Sequence, residues 1–128
     1  MESDLNKKKL LIVDDSVIMR KHITRATLDP RLANIEVVGL ASDGEKALAL
    51  ALKHRPDYIT MDLTMPNMDG EACIEQLARQ LPSARILVVS ALSDKATALR
   101  ALTKGAHGFL HKPFTDEVLI DSLLELMQ

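Results

Sequence analysis

The stretch Lys9-Leu10-Leu11-Ile12-Val13-Asp14-Asp15-Ser16 is an apolar run that ends abruptly on two carboxylates and a hydroxyl. A second run, Tyr58-Ile59-Thr60-Met61, ends on Asp62. A third, Ile86-Leu87-Val88-Val89, ends on Ser90, and a fourth, Gly108-Phe109-Leu110-His111, ends on Lys112. Short runs that are apolar almost throughout, rather than alternating, are the pattern of strands covered by helices on both faces of a parallel sheet. If the four are parallel, their carboxyl ends lie side by side. Three carboxylates, a hydroxyl and an ammonium then meet in one shallow site, a set that suits a divalent metal and a phosphoryl group.

Working outward, strand and helix alternate five times. Strands are expected at residues 8–13, 35–40, 58–61, 86–89 and 107–110, with a helix of about a dozen residues after each. Ser16 is the expected cap of the first helix, where Met19, Ile23 and Ala26 share a face. Ser42 and Glu45 have the spacing of a capping box for the second, which should stop before Pro56. Asp69-Gly70 should open the third and Pro82 close it; Ser93 should cap the fourth and Gly105 end it; Thr115 should cap the fifth. This alternation with right-handed crossovers gives an α/β, doubly wound parallel sheet.

Composition narrows the function. A chain of 128 residues fits one domain with a real core. A formal charge of −2 gives no footprint for nucleic acid or an anionic membrane. One Tyr and two Phe make no stacking platform for bases. No apolar run approaches the ~18 residues of a membrane span, and nothing in the sequence resembles a secretion signal. The single Cys73 excludes an internal disulfide and a thiolate metal cluster. A soluble cytoplasmic domain is expected, without membrane or nucleic-acid partners.

Three clustered carboxylates repel one another, and a small hard cation such as Mg2+ relieves that repulsion. Asp62 stands alone at the end of a central strand, where a carboxylate can act as nucleophile towards phosphorus. Lys112 and Ser90 are suited to phosphoryl oxygens, since phosphoryl transfer asks mainly for positioning and charge neutralisation. Taken singly, each is an ordinary turn, cap or solvent-facing residue. Their occurrence at successive strand ends carries the reading.

Ile12-Val13-Asp14-Asp15-Ser16, Met61-Asp62-Leu63-Thr64-Met65-Pro66-Asn67-Met68-Asp69-Gly70, Val89-Ser90-Ala91 and Lys112-Pro113-Phe114 together resemble the receiver domain of two-component response regulators. The likeness runs over about residues 8–127, with residues 1–7 a short tail and 8–128 the receiver domain. Around Asp62 it is most similar to the chemotaxis regulators that act as free-standing domains. The resemblance implies a flavodoxin-like fold with strand order 2-1-3-4-5. It also implies that Asp62 is the phosphoacceptor for a histidine kinase, and that Asp15, Asp62 and the Thr64 backbone carbonyl bind Mg2+, with Asp14 acting mostly through water. Ser90 would be the switch hydroxyl, Lys112 the phosphate-binding lysine, and Ala91 small enough to admit a phosphodonor. The Lys112-Pro113 bond would be cis. Phe109 falls where these regulators carry a switch aromatic, but it lacks the hydroxyl a tyrosine would offer a partner.

The resemblance implies a monomeric signalling switch, not an enzyme with its own substrate. A flagellar motor switch protein or another output protein would be the partner, through the face of helix 4, strand 5 and helix 5. A phosphate sink, a relay receiver or the receiver of a longer regulator are the alternatives. An aspartyl-nucleophile phosphohydrolase fits less well, because such enzymes commonly carry a second Asp where this chain has Thr64. A flavin carrier lacks a phosphate cradle after strand 1. Of the remaining residues, His22 and His54 are expected as solvated helix positions. His107 and His111, ~13 Å apart on a strand, are too far apart to share a metal. Cys73 is expected as a small core residue, with a helix-start lowering of its pKa as the alternative. Lys95, Arg100 and Lys104 are expected on a solvated face.

Overall fold

The computed structural model describes residues 7–91 and 95–128. Five parallel strands, β1 (Lys8–Val13), β2 (Ile35–Ala41), β3 (Tyr58–Met61), β4 (Arg85–Ser90) and β5 (Gly108–His111), form one sheet in the order β2-β1-β3-β4-β5. Helices α1 (Val17–Ala26), α2 (Gly44–His54), α3 (Gly70–Gln80), α4 (Lys95–Lys104) and α5 (Asp116–Leu126) alternate with them.

The period of two along each strand divides the core. Leu11 and Val13 of β1 pack with Ile59 and Met61 of β3 against Ala47, Cys73, Ile74, Leu77 and Ala101 of α2 to α4. Leu10 and Ile12 point the other way, joining Leu87 and Val89 against Ile23 of α1 and Leu119, Ile120 and Leu123 of α5. β1 therefore needs an apolar residue at every position from Leu10 to Val13, and all four are buried. That is why the run is continuous rather than alternating.

Several boundaries differ from expectation for definite reasons. α2 is capped by Asp43, whose carboxylate accepts the Lys46 N–H at 2.8 Å, not by a Ser42–Glu45 box. Asp43 lies one residue nearer the helix, and Ser42 Oγ instead accepts from the Lys46 ammonium at 3.3 Å. That helix ends at His54, before Pro56, with Arg55 in the left-handed conformation at φ 50°. Ser16, Asp69 and Thr115 cap α1, α3 and α5 as expected, and Gly105 follows α4 with φ 128°. The expected cap Ser93 lies outside the described residues. β5 begins one residue late because the His107 Nδ1 accepts the Ile86 N–H at 3.0 Å, where a strand carbonyl would otherwise serve. The register of β1 against β2 shifts between Leu10 and Leu11, a bulge that the sequence pattern did not suggest.

Leu11→Ala should lower the free energy of unfolding by about 3 kcal/mol in urea titrations, as expected for a buried leucine in close packing. Leu40→Ala, at a side chain 48 % exposed, should change it by no more than about 0.5 kcal/mol.

Candidate functional site

The sheet's hydrogen bonding continues one residue past three of its strands and fixes the first atoms of the site. Asp14 N–H donates to Ala41 O at 3.0 Å, Asp62 N–H to Val13 O at 3.0 Å, and Lys112 N–H to Ser90 O at 2.9 Å. Asp14, Asp62 and Lys112 are thus hung on the last rungs of the ladder. Ser90 closes β4 and is fully buried.

The side chains converge. Asp14, Asp15 and Asp62 each place a carboxylate oxygen within 4.8 Å of the others. Lys112 Nζ lies 2.7 Å from Asp14 Oδ2 and 3.9 Å from Asp62 Oδ2. The other Asp14 oxygen accepts the Ser16 N–H at 2.9 Å, so both of its oxygens are engaged by the protein. Asp15 is exposed at the mouth. Asp62 Oδ1 accepts the Thr64 N–H at 3.2 Å. The Lys112-Pro113 bond is cis.

Burial, with the Asp14 charge next and Asp15 adding to it, pushes the Asp62 carboxyl up to about 6, against the opposing pull of Lys112 and the Thr64 N–H. A carboxylate held in this way gains by meeting a cation. The donor set is all oxygen, which fits a hard divalent ion better than a soft one. The expected residues Asp14, Asp15, Asp62 and Lys112 are brought together here. Thr64 is exposed in the loop after Asp62. Phe109 is half-buried against the core on the α2 to α4 side.

Other residues make contacts that their own positions in the sequence did not signal, while Cys73 takes the core position expected of it. His22 is not simply solvated: its ring stacks on Phe114 at 5.3 Å, and its Nε2 lies 2.6 Å from Asp116 Oδ1. It therefore ties α1 to the segment that follows Lys112. Arg20 donates to the Asp14 carbonyl at 2.7 Å. Arg100 and Lys104 lie on the solvated face expected of them and reach Glu71 of α3 across it, at 3.2 and 3.7 Å. Cys73 is a buried core residue, and burial pushes its thiol up to about 12, opposite to a helix-start lowering. Nothing local in the sequence signals the His22 and Arg100 pairings, because the partners lie in other elements.

The family described as response regulator receiver domain matches residues 10–124. The chemotaxis protein CheY of Listeria monocytogenes is 36 % identical over 115 residues, covering 90 % of this chain and 94 % of that protein. Protein-glutamate methylesterase/protein-glutamine glutaminase 3 of Myxococcus xanthus is 44 % identical over 109 residues, covering 82 % of this chain but 30 % of that protein. The crystal structure of a CheX-CheY complex with BeF3 and Mg2+ from Borrelia burgdorferi matches with a TM-score of 0.89 at 27 % identity, over 98 % of each chain.

The raised pKa has a consequence for stability. Folding disfavours the Asp62 anion, so its contribution is intact below about pH 4 and is lost as pH rises through about 6. Without divalent cations, Asp62→Asn should therefore stabilise the protein at pH 7.5 by about 2 kcal/mol. The gain should vanish at pH 4, where the wild-type carboxyl is already neutral. Urea unfolding at the two pH values measures both.

Proposed function

The chain belongs to the response regulator receiver domain family, and from that membership we propose a phosphorylation switch whose acceptor is Asp62. One observation carries the assignment: Asp14, Asp15, Asp62 and Lys112, far apart in sequence, meet within a few ångströms at the carboxyl edge of the sheet. That edge is where ligands of open α/β sheets bind.

Asp15, Asp62 and the Thr64 carbonyl would hold Mg2+, with Asp14 acting through water. The Asp14 oxygens are already taken by Ser16 and Lys112, which supports an indirect role for it. When bound, Mg2+ neutralises charge on the transferring phosphoryl group and on the acceptor. An Asp62 oxygen attacks the phosphorus of a phosphohistidine on the kinase. The P–O bond forms as the P–N bond breaks, and the electron pair stays on the imidazole nitrogen, which takes up a proton. Lys112 then exchanges its contact with Asp14 for a phosphoryl oxygen, and the Ser90 hydroxyl donates to another. Exposed Ala91 leaves the approach open.

The new charge would draw Ser90 and Lys112 inward and let Phe109 repack, shifting the population between two conformations with different partner affinity. Such an event is signalling rather than turnover of an external substrate. The likeness to a chemotaxis protein over 94 % of its length supports a role in chemotaxis. The Borrelia neighbour, crystallised with Mg2+, BeF3 and CheX, supports both the cation and a protein partner. Output would pass through α4, β5 and α5, where Leu99, Leu102 and Val118 are exposed; a flagellar motor switch protein would be the recipient. Among the described residues no helix is long and apolar enough to cross a membrane, and a cytoplasmic setting fits the kinase partner.

Phosphoryl uptake from a phosphorylated histidine kinase or acetyl phosphate tests the assignment. The wild type should incorporate acid-stable, base-labile phosphate only with Mg2+, and Asp62→Asn should fall to background. Lys112→Ala should still be modified while losing the modification-dependent change in partner affinity. Uptake by the Asp62→Asn protein at the wild-type rate would exclude Asp62 as acceptor.

A further inference from the structure

The loop that follows Asp62 is fastened to the start of α2 by a buried carboxylate outside the site. Asp43 is 6 % exposed. Its Oδ1 caps α2 through the Lys46 N–H at 2.8 Å, and its Oδ2 accepts from Asn67 Nδ2 at 3.0 Å. Asn67 has φ 68°, a left-handed backbone that a non-glycine residue seldom adopts. Such strain persists where the surroundings over-determine it.

Close backbone approaches stand at both ends of the loop. A Cβ on Gly44, next to Asp43, would come within 2.3 Å of Met68 O, and one on Gly70 within 2.3 Å of Asp62 O. Gly70 N–H also donates to Leu63 O at 3.0 Å. Between these fixed points the segment carries the exposed Thr64, whose N–H holds Asp62 Oδ1. The Asn67 amide ties it sideways to α2. A cap needs one carboxylate oxygen; the second is given to the loop.

We propose that Asp43 and Asn67 are positioning residues for the cation site. Together they hold the 62–69 loop so that the Thr64 carbonyl and the Asp62 carboxylate serve one divalent ion, with neither positioning residue touching it. The proposal rests on the metal and phosphoryl reading given above.

Calorimetric titration of the full chain with MgCl2 tests it, with circular dichroism to follow folding. Asn67→Gly keeps the positive φ at no steric cost and removes the amide. Asp43→Ser keeps a capping oxygen but has none to reach Asn67. Each should weaken Mg2+ binding about tenfold, the usual scale for groups that orient metal ligands, while the protein stays folded. Asp43→Asn keeps the cap and, with the Asn67 amide turned over, the bridge; it should bind within about threefold of the wild type. A wild type that binds Mg2+ alongside Asn67→Gly and Asp43→Ser variants of equal affinity would overturn the proposal alone. Equal losses in Asp43→Asn and Asp43→Ser would also overturn it, since charge and not the bridge would then matter. A wild type that fails to bind Mg2+ would remove the site reading and the proposal with it.

Discussion

Mutual repulsion among Asp14, Asp15 and Asp62 is the constraint around which the rest of this molecule is arranged. Within a few ångströms, and with Asp14 and Asp62 out of water, three like charges cannot all be held without a counter-charge. Lys112 supplies one, closer to Asp14 than to Asp62. Loss of one member of a buried ion pair costs about 3–5 kcal/mol, so Lys112 is bound to the site before any phosphoryl group arrives. The compensation is incomplete, as the raised Asp62 carboxyl shows. A residual imbalance of that kind gives a divalent cation, and then a phosphoryl group with its own charges, something to change.

The fold holds that strained arrangement in place. Strands β1 and β3 are buried on both faces, so they cannot slide without exposing one of the two cores. Their last hydrogen bonds fix the backbone of Asp14 and Asp62, and β4 does the same for Lys112. Two of the charges that repel, Asp14 and Asp62, are therefore carried on backbone fixed by the sheet's own ladder.

Much of this was legible in the sequence because burial on both faces leaves a continuous apolar run, and a run that stops on Asp, Ser or Lys marks where the sheet edge begins. The strands and the convergence of Asp14, Asp15, Asp62 and Lys112 follow from that, whereas the strand order came from the family likeness alone. The α2 cap was not legible, since Ser42 and Asp43 are adjacent and only geometry decides between them. The start of β5 was obscured because a His107 side chain does the work of a backbone carbonyl. The stacking of His22 on Phe114 and the pairing of Arg100 with Glu71 join elements distant in sequence, and local patterns do not encode such partners. The tie between Asn67 and Asp43 is visible only in three dimensions.

The most direct test of the central claim is to locate the phosphoryl group chemically. Borohydride reduces an aspartyl phosphate to homoserine, and peptide mass spectrometry of the reduced, Mg2+-phosphorylated protein then reads the position. Homoserine at residue 62 alone is the expected result. Homoserine at residue 14 or 15, or none despite phosphate uptake, would contradict the assignment of Asp62 as acceptor.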